Sequence, residues 1–334
     1  MKKVILFFIF FISYAAVTAQ QSDTTQLYET AKLFMRKGDY ANAEVLLLKA
    51  LEKDPANTAI AKDLAFNYYF EKENNKALNI IKPLLDKDKT DDQVFQIAAN
   101  IYRALDMMKE SEATYKRGIK KFPKNGLLYN DYGELLSAQQ NASAINQWEK
   151  GIEMDPSYSG NYFNAAKYYY FTPDKIWGII YAEIFLNLEP QSSRTAEVKN
   201  ILLDSYKKLF AEEAIKVGKE KMNFEKAFIQ TISKEAPLAS SGLTAENLTM
   251  IRTRFILNWF EIYAKNFPFK LFDFHQQLLQ EGLFDAYNQW IFGAAQNLDA
   301  YQKWTALYPA QYNDFNAFQK GRIFKMPAGQ YYHK

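Results

Sequence analysis

Four prolines divide the first part of the chain at intervals close to multiples of 34 residues. Pro55, Pro123, Pro156 and Pro190 end the phrases ALEKDP, GIKKFP, GIEMDP and FLNLEP, and they are 68, 33 and 34 residues apart. The first interval is twice 34, and its missing member falls at Lys89. A period of this length indicates helix–turn–helix units that stack into a solenoid. Proline suits the end of a unit because it lacks an N–H and disfavours helix in the residue before it.

Small and large residues recur at fixed offsets inside each unit. Ala31, Ala43, Ala65, Ala77 and Gly133 occupy positions where two antiparallel helices must approach closely, and large residues fill the space between units. The spacing predicts five repeats followed by a capping or linking helix at 192–210. The predicted repeats are 24–57, 58–91, 92–124, 125–157 and 158–191.

Over residues 24–190 this register resembles the tetratricopeptide repeat family. The tryptophan that is usual at the fourth position is replaced by Leu27, Ala61, Phe95, Tyr129 and Tyr162. The resemblance implies an all-α fold, a tetratricopeptide α-solenoid of about five repeats. It also implies a scaffold whose partner is a protein or a peptide.

In that family the first helix of each repeat lines a concave groove. Transferred position by position, the resemblance implies these peptide contacts: Lys32, Lys62, Phe66, Tyr69, Phe70, Gln96, Asn100, Arg103, Lys167 and Tyr170. Aromatic side chains supply rigid apolar contact, and amides and ammonium groups bond to a peptide backbone or carboxylate. The alternative is that the aromatic members are packing residues. The family's clamp for chaperone tails is not expected, because Tyr28, Lys32 and Asp63 stand where its lysine and asparagines belong.

The first residues have the three parts of a secretory signal peptide. Lys2 and Lys3 precede an apolar stretch, and Val17 and Ala19 stand where a signal peptidase reads small residues. The apolar run of about 14 residues is short of the roughly 20 that span a bilayer, which argues against a membrane anchor. We therefore expect cleavage of residues 1–19 and an exported protein, periplasmic or secreted. The mature chain should not span a membrane.

Residues 211–334 lose the period but hold 23 aromatics in 124 positions. Helical spacing continues in them. The first predicted helix is 223–235, and a loop at 236–242 follows it. The second is capped by Thr244 and runs to about residue 266. Further helices are predicted from Pro268 to Gly282, at 283–296 and at 298–320, and the tail is predicted to be extended. Helices with aromatics on several sides are usually buried, so we expect a compact C-terminal helical domain. One alternative is a carrier, an enzyme or an enzyme accessory with a glycan or small-ligand site around Trp259, Trp290 and Trp304. Another is a region that only caps the solenoid.

The composition argues against catalysis. The chain has no cysteine and only two histidines, and no phosphate-binding, dinucleotide, zinc-protease or nucleophile-elbow motif occurs. His275 is expected to be structural, and the acidic run from Asp86 to Asp91 lacks the glycine of a calcium loop. The sequence therefore predicts no enzyme, no cofactor and no metal. With 41 basic and 38 acidic residues it also predicts no nucleic-acid partner.

Overall fold

A computed structural model describes residues 23–211, 222–240 and 242–333, and all regular structure in these segments is helical. The all-α, solenoid fold class predicted from the sequence is confirmed. The chain divides into two compact units, with the boundary between Pro123 and Lys124. The predicted signal peptide, residues 1–19, lies outside the described residues. Among the described helices, none has both the length and the apolar character needed to cross a membrane.

The first unit contains three helix pairs, one in each of the first three predicted repeats. The helices are 23–36 and Tyr40–Lys53, Thr58–Phe70 and Asn74–Ile81, and Asp92–Ala104 and Met108–Lys121. A short 3-10 turn, Lys82–Leu84, extends the fourth of them. The alanines at the predicted close approaches, Ala31, Ala43, Ala65 and Ala77, are all fully buried.

Side-chain caps explain where several of these helices start. The side chain of Asp39 accepts a hydrogen bond from the backbone N–H of Asn42, and that of Asn57 accepts from Ala59 and Ile60. Asp91 accepts from the N–H of Val94. Such bonds satisfy N–H groups that have no partner inside the helix. The acidic run from Asp86 to Asp91 therefore ends in the N-cap of this helix.

The second unit begins with the helices of the last two predicted repeats. They are Gly126–Ala138, Ala144–Met154, Ser159–Tyr170 and Lys175–Leu188, followed by Thr195–Ala211. Gly133 allows the first of these pairs to pack closely, because a Cβ there would lie 2.3 Å from Nε1 of Trp148. Every residue from Lys175 to Asn187 is buried, so that helix has neighbours on all sides.

The rest of the second unit is also helical. Its helices are Phe224–Ile232, Ala236–Ala239, Ala245–Ile262, Lys270–Gln280, Phe284–Asn288, Ala294–Gln296, Leu298–Leu307 and Pro309–Lys320, with a 3-10 turn at Ser233–Glu235 and a π-helical turn at Gln289–Gly293. Thr244 caps its helix as predicted, by accepting from the N–H of Asn247. The described part of the tail, residues 322–333, has no helix, as expected.

Several boundaries differ from the sequence prediction. The helix capped by Thr244 ends at Ile262 rather than near residue 266. The single helix predicted for 298–320 is wrong, because Pro309 starts a new helix and leaves Tyr308 outside helical geometry, with φ −122° and ψ 54°. The predicted loop at 236–242 contains a helical turn, Ala236–Ala239. The helix expected from Pro268 begins at Lys270, with Phe269 in extended geometry before it.

The aromatic residues of the C-terminal region form a core. Trp259 is 0% exposed, and the ring of Phe224 lies 5.3 Å from it, centroid to centroid. Phe272 packs on both, at 4.9 Å from Trp259 and 6.0 Å from Phe224. The ring of Tyr332 from the tail stacks on Phe224 at 4.7 Å. The aromatic excess of this region therefore serves burial, and the extended tail is part of the packing.

Candidate functional site

A cavity of about 410 Å³ opens on the first helices of three successive repeats in the first unit. Its lining is Lys32, Met35 and Arg36 from the first repeat, Asp63 and Phe66 from the second, and Gln93, Gln96 and Ile97 from the third. None of its lining residues lies on a second helix. Helical spacing within each repeat brings these positions to one face. The predicted groove residues Lys32, Phe66 and Gln96 therefore meet at one site.

The charged groups of this cavity, which we call the first-unit groove, are partly paired. The ammonium of Lys32 lies 2.6 Å from the carboxylate of Glu29 and 4.6 Å from the ring centre of Tyr28. The hydroxyl of Tyr28 donates to Asp63 at 2.7 Å, and burial together with this bond raises the pKa of Tyr28. Asp63 is thus held by a neutral donor, while Lys32 and the exposed Arg36 provide positive charge at the rim.

An aromatic cluster adjoins the groove. The ring of Phe66, which lines the cavity, lies 4.6 Å from that of Phe70, and Phe70 stacks on Tyr40 at 5.0 Å. Tyr69 meets Phe70 edge-on at 5.6 Å. Phe70 is still 44% exposed. These predicted contact residues therefore both pack on one another and keep an apolar surface open.

Other predicted groove residues already have partners within the unit. The ammonium of Lys62 lies 2.6 Å from both Asp91 and Gln93 at the start of the next repeat. The side-chain oxygen of Asn100 accepts a hydrogen bond from the hydroxyl of Tyr115 at 3.0 Å. Arg103 is half-buried on the same helix as Asn100. Lys62 and Asn100 connect helices, so their availability to a ligand is lower than the resemblance implied.

The second unit has its own cavity, of about 610 Å³, which includes the predicted residue Lys167. Glu134 and Asn164 line it and are joined through Asn130, which lies 3.0 Å from Glu134 and 2.9 Å from Asn164. Phe171 lines it while 82% exposed. Lys167 forms an ion pair with Glu197 at 2.8 Å.

Tyr170 does not line this second cavity. Its ring lies under the ammonium of Lys208 at 3.6 Å. Sequence reasoning did not place Met35, Gln93 and Ile97 in the first cavity, or Ser137, Tyr168 and Thr172 in the second. For the first cavity the signal was present in the sequence, because Met35, Gln93 and Ile97 lie one helical turn or one residue from Lys32 and Gln96.

Part of the chain matches a known family of repeats. Residues 34–101 match the tetratricopeptide repeat family, and these residues carry most of the first-unit groove. The match assigns tetratricopeptide repeats to residues 34–101. Such repeats are typical of scaffolds that bind proteins or peptides. No curated protein matches the sequence.

Several solved structures resemble parts of the chain at low identity. A tetratricopeptide repeat protein from Parabacteroides merdae is 15% identical, with 84% of this chain and 97% of that chain covered and a TM-score of 0.43. The pilF protein of Pseudomonas aeruginosa is 15% identical, with 70% and 99% covered and a TM-score of 0.49. YrrB, described as a TPR protein with an unusual peptide-binding site, is 15% identical, with 58% and 97% covered and a TM-score of 0.39.

Beyond the tetratricopeptide repeats, His275 belongs to a buried polar cluster. Its Nε2 lies 2.8 Å from the carboxylate of Glu183, which also accepts from the hydroxyl of Tyr287 at 2.7 Å and from the guanidinium of Arg252. Asn187 donates to that tyrosine hydroxyl at 2.8 Å. The side chains of Glu183 and Arg252 are each 2% exposed. As expected from the sequence, His275 is a bonded, structural histidine.

The three tryptophans considered for a glycan site differ in their surroundings. Trp259 is fully buried and cannot touch a ligand without unfolding of the core. Trp290 lies beneath the ammonium of Lys199 at 4.2 Å. Trp304 lies near the surface, parallel to Tyr301 at 6.5 Å. The burial of Trp259 removes that residue from a ligand site, whereas Trp290 and Trp304 are half-buried, so a glycan or small-ligand site near these two residues stays a prediction.

Proposed function

We propose that this chain is an exported, non-catalytic scaffold that binds a peptide segment of a partner protein in the first-unit groove. The observation that carries the proposal is the cavity lined only by first helices of three successive tetratricopeptide repeats. It combines an apolar floor of Met35, Phe66 and Ile97 with the polar groups of Lys32 and Gln93.

The chemistry of the groove favours a particular kind of peptide. Lys32 and Arg36 border the cavity, and its one lining acid, Asp63, accepts from Tyr28. A peptide that places an acidic side chain near these cations and an apolar side chain against Phe66 would satisfy both surfaces. Aromatic anchors in such clefts typically carry most of the binding energy, and charged groups at the rim mainly set specificity.

Peptide selection tests this proposal directly. Random peptides displayed on phage would be selected on the immobilised chain from residue 20 onward, and binding of the selected peptides would be measured by fluorescence anisotropy. We expect selected peptides to combine an acidic and an apolar residue, and Phe66→Ala to weaken their binding at least tenfold. Selection of no peptide, or of peptides that bind the Phe66→Ala variant as tightly as the unaltered chain, would rule out peptide binding in the groove.

Export of the chain is part of the same proposal and rests on the pattern of residues 1–19. Expression of the full chain in a Gram-negative host should yield a periplasmic protein whose N-terminus begins at Gln20. A protein that retains Met1 and stays in the cytoplasm would contradict the proposed signal peptide without affecting the groove.

The C-terminal helices are proposed to cover the last repeat. The helix Lys175–Leu188 is buried on all sides, and Glu183 and Asn187 bond to Arg252 and Tyr287 of the C-terminal region. A chain that ends at residue 211 would expose this helix. We expect such a chain to aggregate, whereas an intact, monomeric product would argue against a capping role.

A further inference from the structure

Four titratable side chains from distant parts of the second unit meet beside the tail. Asp174 precedes the helix Lys175–Leu188, and Glu225 lies in the first turn of the helix Phe224–Ile232. Glu149 comes from the helix Ala144–Met154 of the fourth repeat, and His333 from the extended tail. Neither the groove nor the buried cluster around Glu183 involves these four residues.

The geometry of three of them suits a metal ion. Three possible ligand atoms lie within 4.8 Å of one another, one each from Asp174, Glu225 and His333. Nε2 of His333 is 3.9 Å from the Glu225 carboxylate. A tetrahedral zinc ion with ligand distances of about 2.0–2.2 Å keeps its ligand atoms about 3.4 Å apart. Small rotations of these side chains would therefore close the site.

The fourth residue orients the histidine. Nδ1 of His333 lies 2.6 Å from the carboxylate of Glu149, which leaves Nε2 on the side of Glu225. Metal-binding histidines characteristically donate the N–H of one ring nitrogen to a carboxylate or carbonyl while the other nitrogen binds the ion. Glu149 is itself held in place, because the hydroxyl of Tyr169 donates to it at 2.7 Å.

Packing holds the tail in this position. The ring of His333 lies 4.9 Å from that of Trp177 and 5.5 Å from that of Tyr169. The preceding Tyr332 stacks on Phe224, and its hydroxyl donates to the carbonyl of Pro268 at 2.8 Å. The imidazole is thus presented by an ordered surface, as a bound ion requires.

The charge balance also favours a cation. Among the residues that the structure describes, three carboxylates, those of Glu149, Asp174 and Glu225, converge on a single imidazole, so the summed charge of these four groups stays negative even when His333 is protonated. Asp174 and Glu225 are half-buried, which makes their mutual repulsion stronger than in water. Nε1 of Trp177 donates to Glu225 at 2.5 Å, which is a neutral hydrogen bond and leaves the excess charge in place.

We propose that Asp174, Glu225 and His333 bind a divalent transition-metal ion, for which zinc is the expected occupant, and that Glu149 is the positioning residue for His333. Carboxylate and imidazole ligands suit zinc. The ion would connect the tail to the helices Lys175–Leu188 and Phe224–Ile232. Since the chain has no cysteine, such a site would supply the cross-link that disulfides provide in other exported proteins.

Isothermal titration with zinc chloride tests the site on the whole chain from residue 20, produced without a polyhistidine tag and stripped with EDTA. We expect one zinc ion per chain and a higher melting temperature with zinc. Asp174→Asn and Glu225→Gln should each lower the affinity at least tenfold, and Glu149→Gln about 10- to 100-fold. The control Asp204→Asn, an exposed acid paired with Lys207 at 3.2 Å, should bind as the unaltered chain does. No saturable binding of zinc, or an affinity of both ligand variants equal to that of the unaltered chain, would overturn the proposal.

A second measurement needs no variant and remains valid if the substitutions impair folding. The chain has two histidines, and His275 is buried at 3% exposure, whereas the side chain of His333 is 21% exposed. Diethyl pyrocarbonate should therefore modify His333 in the metal-free protein, and zinc should prevent this, as read by peptide mass spectrometry. Equal modification of His333 with and without saturating zinc would contradict its role as a ligand.

Discussion

Replacing Arg252 by methionine should strongly destabilise the second unit, because Arg252 balances the buried carboxylate of Glu183. The guanidinium donates to Glu183 and to Asn288, and Nη2 lies 3.2 Å from His275. Burial alone would raise the pKa of Glu183, but the charges of Arg252 and His275 outweigh it and lower the pKa to about 2. Without Arg252 the carboxylate must be protonated or remain buried without its main counter-charge.

The expected magnitude follows from the burial of both partners. Removal of one member of a buried ion pair costs about 3–5 kcal/mol, since the other charge is left uncompensated. Lys207 provides a control in the same unit, because it forms an ion pair with Asp204 at 3.2 Å in which both side chains are exposed, at 53% and 44%. An exposed pair contributes about 0–1 kcal/mol. The difference between the losses of Arg252→Met and Lys207→Met therefore isolates the effect of burial.

Urea unfolding at pH 7, followed by tryptophan fluorescence, measures this difference. All five tryptophans lie after residue 147, so the signal reports on the second unit. We expect Arg252→Met to lower the free energy of unfolding by about 3–5 kcal/mol and Lys207→Met by less than about 1 kcal/mol. The double variant Arg252→Met/Glu183→Gln should recover part of the loss. Equal losses for Arg252→Met and Lys207→Met, or no recovery in the double variant, would show that the buried ion pair does not stabilise the second unit.

Three further predictions concern acid stability, helix packing and the second cavity. Because the folded pKa of Glu183 lies below its ordinary value of 4.5, its stabilising contribution is present above about pH 4.5 and is lost as the pH falls towards 2. The urea midpoint should therefore fall less between pH 7 and pH 3 in Glu183→Gln than in the unaltered chain. Gly133→Ala should cost about 1–3 kcal/mol through its clash with Trp148, whereas Gly321→Ala, whose nearest contact is at 3.5 Å, should change the thermal midpoint little. Phe171→Ala should leave the thermal midpoint nearly unchanged, since that side chain is 82% exposed, and a large fall would show that it packs in solution.

The periodic part of the fold was predictable because its signals are local. The recurrence of proline and alanine positions set the helix pairs, and Asn57 and Asp91 cap the first helices of the second and third repeats. The break at Tyr308 could have been read from Pro309, but the aromatic spacing across it favoured one continuous helix. The restriction that Pro309 places on the backbone therefore ends the helix, although the hydrophobic pattern continues across it.

The candidate site was predictable only in part. Lys32, Phe66 and Gln96 meet in the cavity because one helical position recurs from repeat to repeat. Asn100 bonds to Tyr115 and does not line the cavity. This contact depends on the second helix of the same repeat, and the repeat pattern of the family does not specify it. Partners of this kind depend on rotamers and packing rather than on spacing.

The proposed metal ligands were beyond sequence reasoning. Asp174, Glu225 and His333 share no motif, and their separation in the chain exceeds any spacing that marks a metal site. Only the packing of the tail against Phe224 and Trp177 brings the imidazole to the two carboxylates. The buried pair of Glu183 and Arg252 was missed for the same reason, since charged residues are expected at the surface.

The central claim is that peptides bind the face formed by the first helices of the repeats. Its most direct test compares the dissociation constant of one selected peptide for the double variant Lys32→Ala/Phe66→Ala with that for Lys49→Ala/Leu48→Ala. The second pair lies on the second helix of the first repeat and is exposed, with Leu48 at 44%. We predict a loss of at least tenfold in affinity for the first variant and less than twofold for the second, with both variants folded by circular dichroism. Equal losses, or a larger loss for the second-helix variant, would contradict the account.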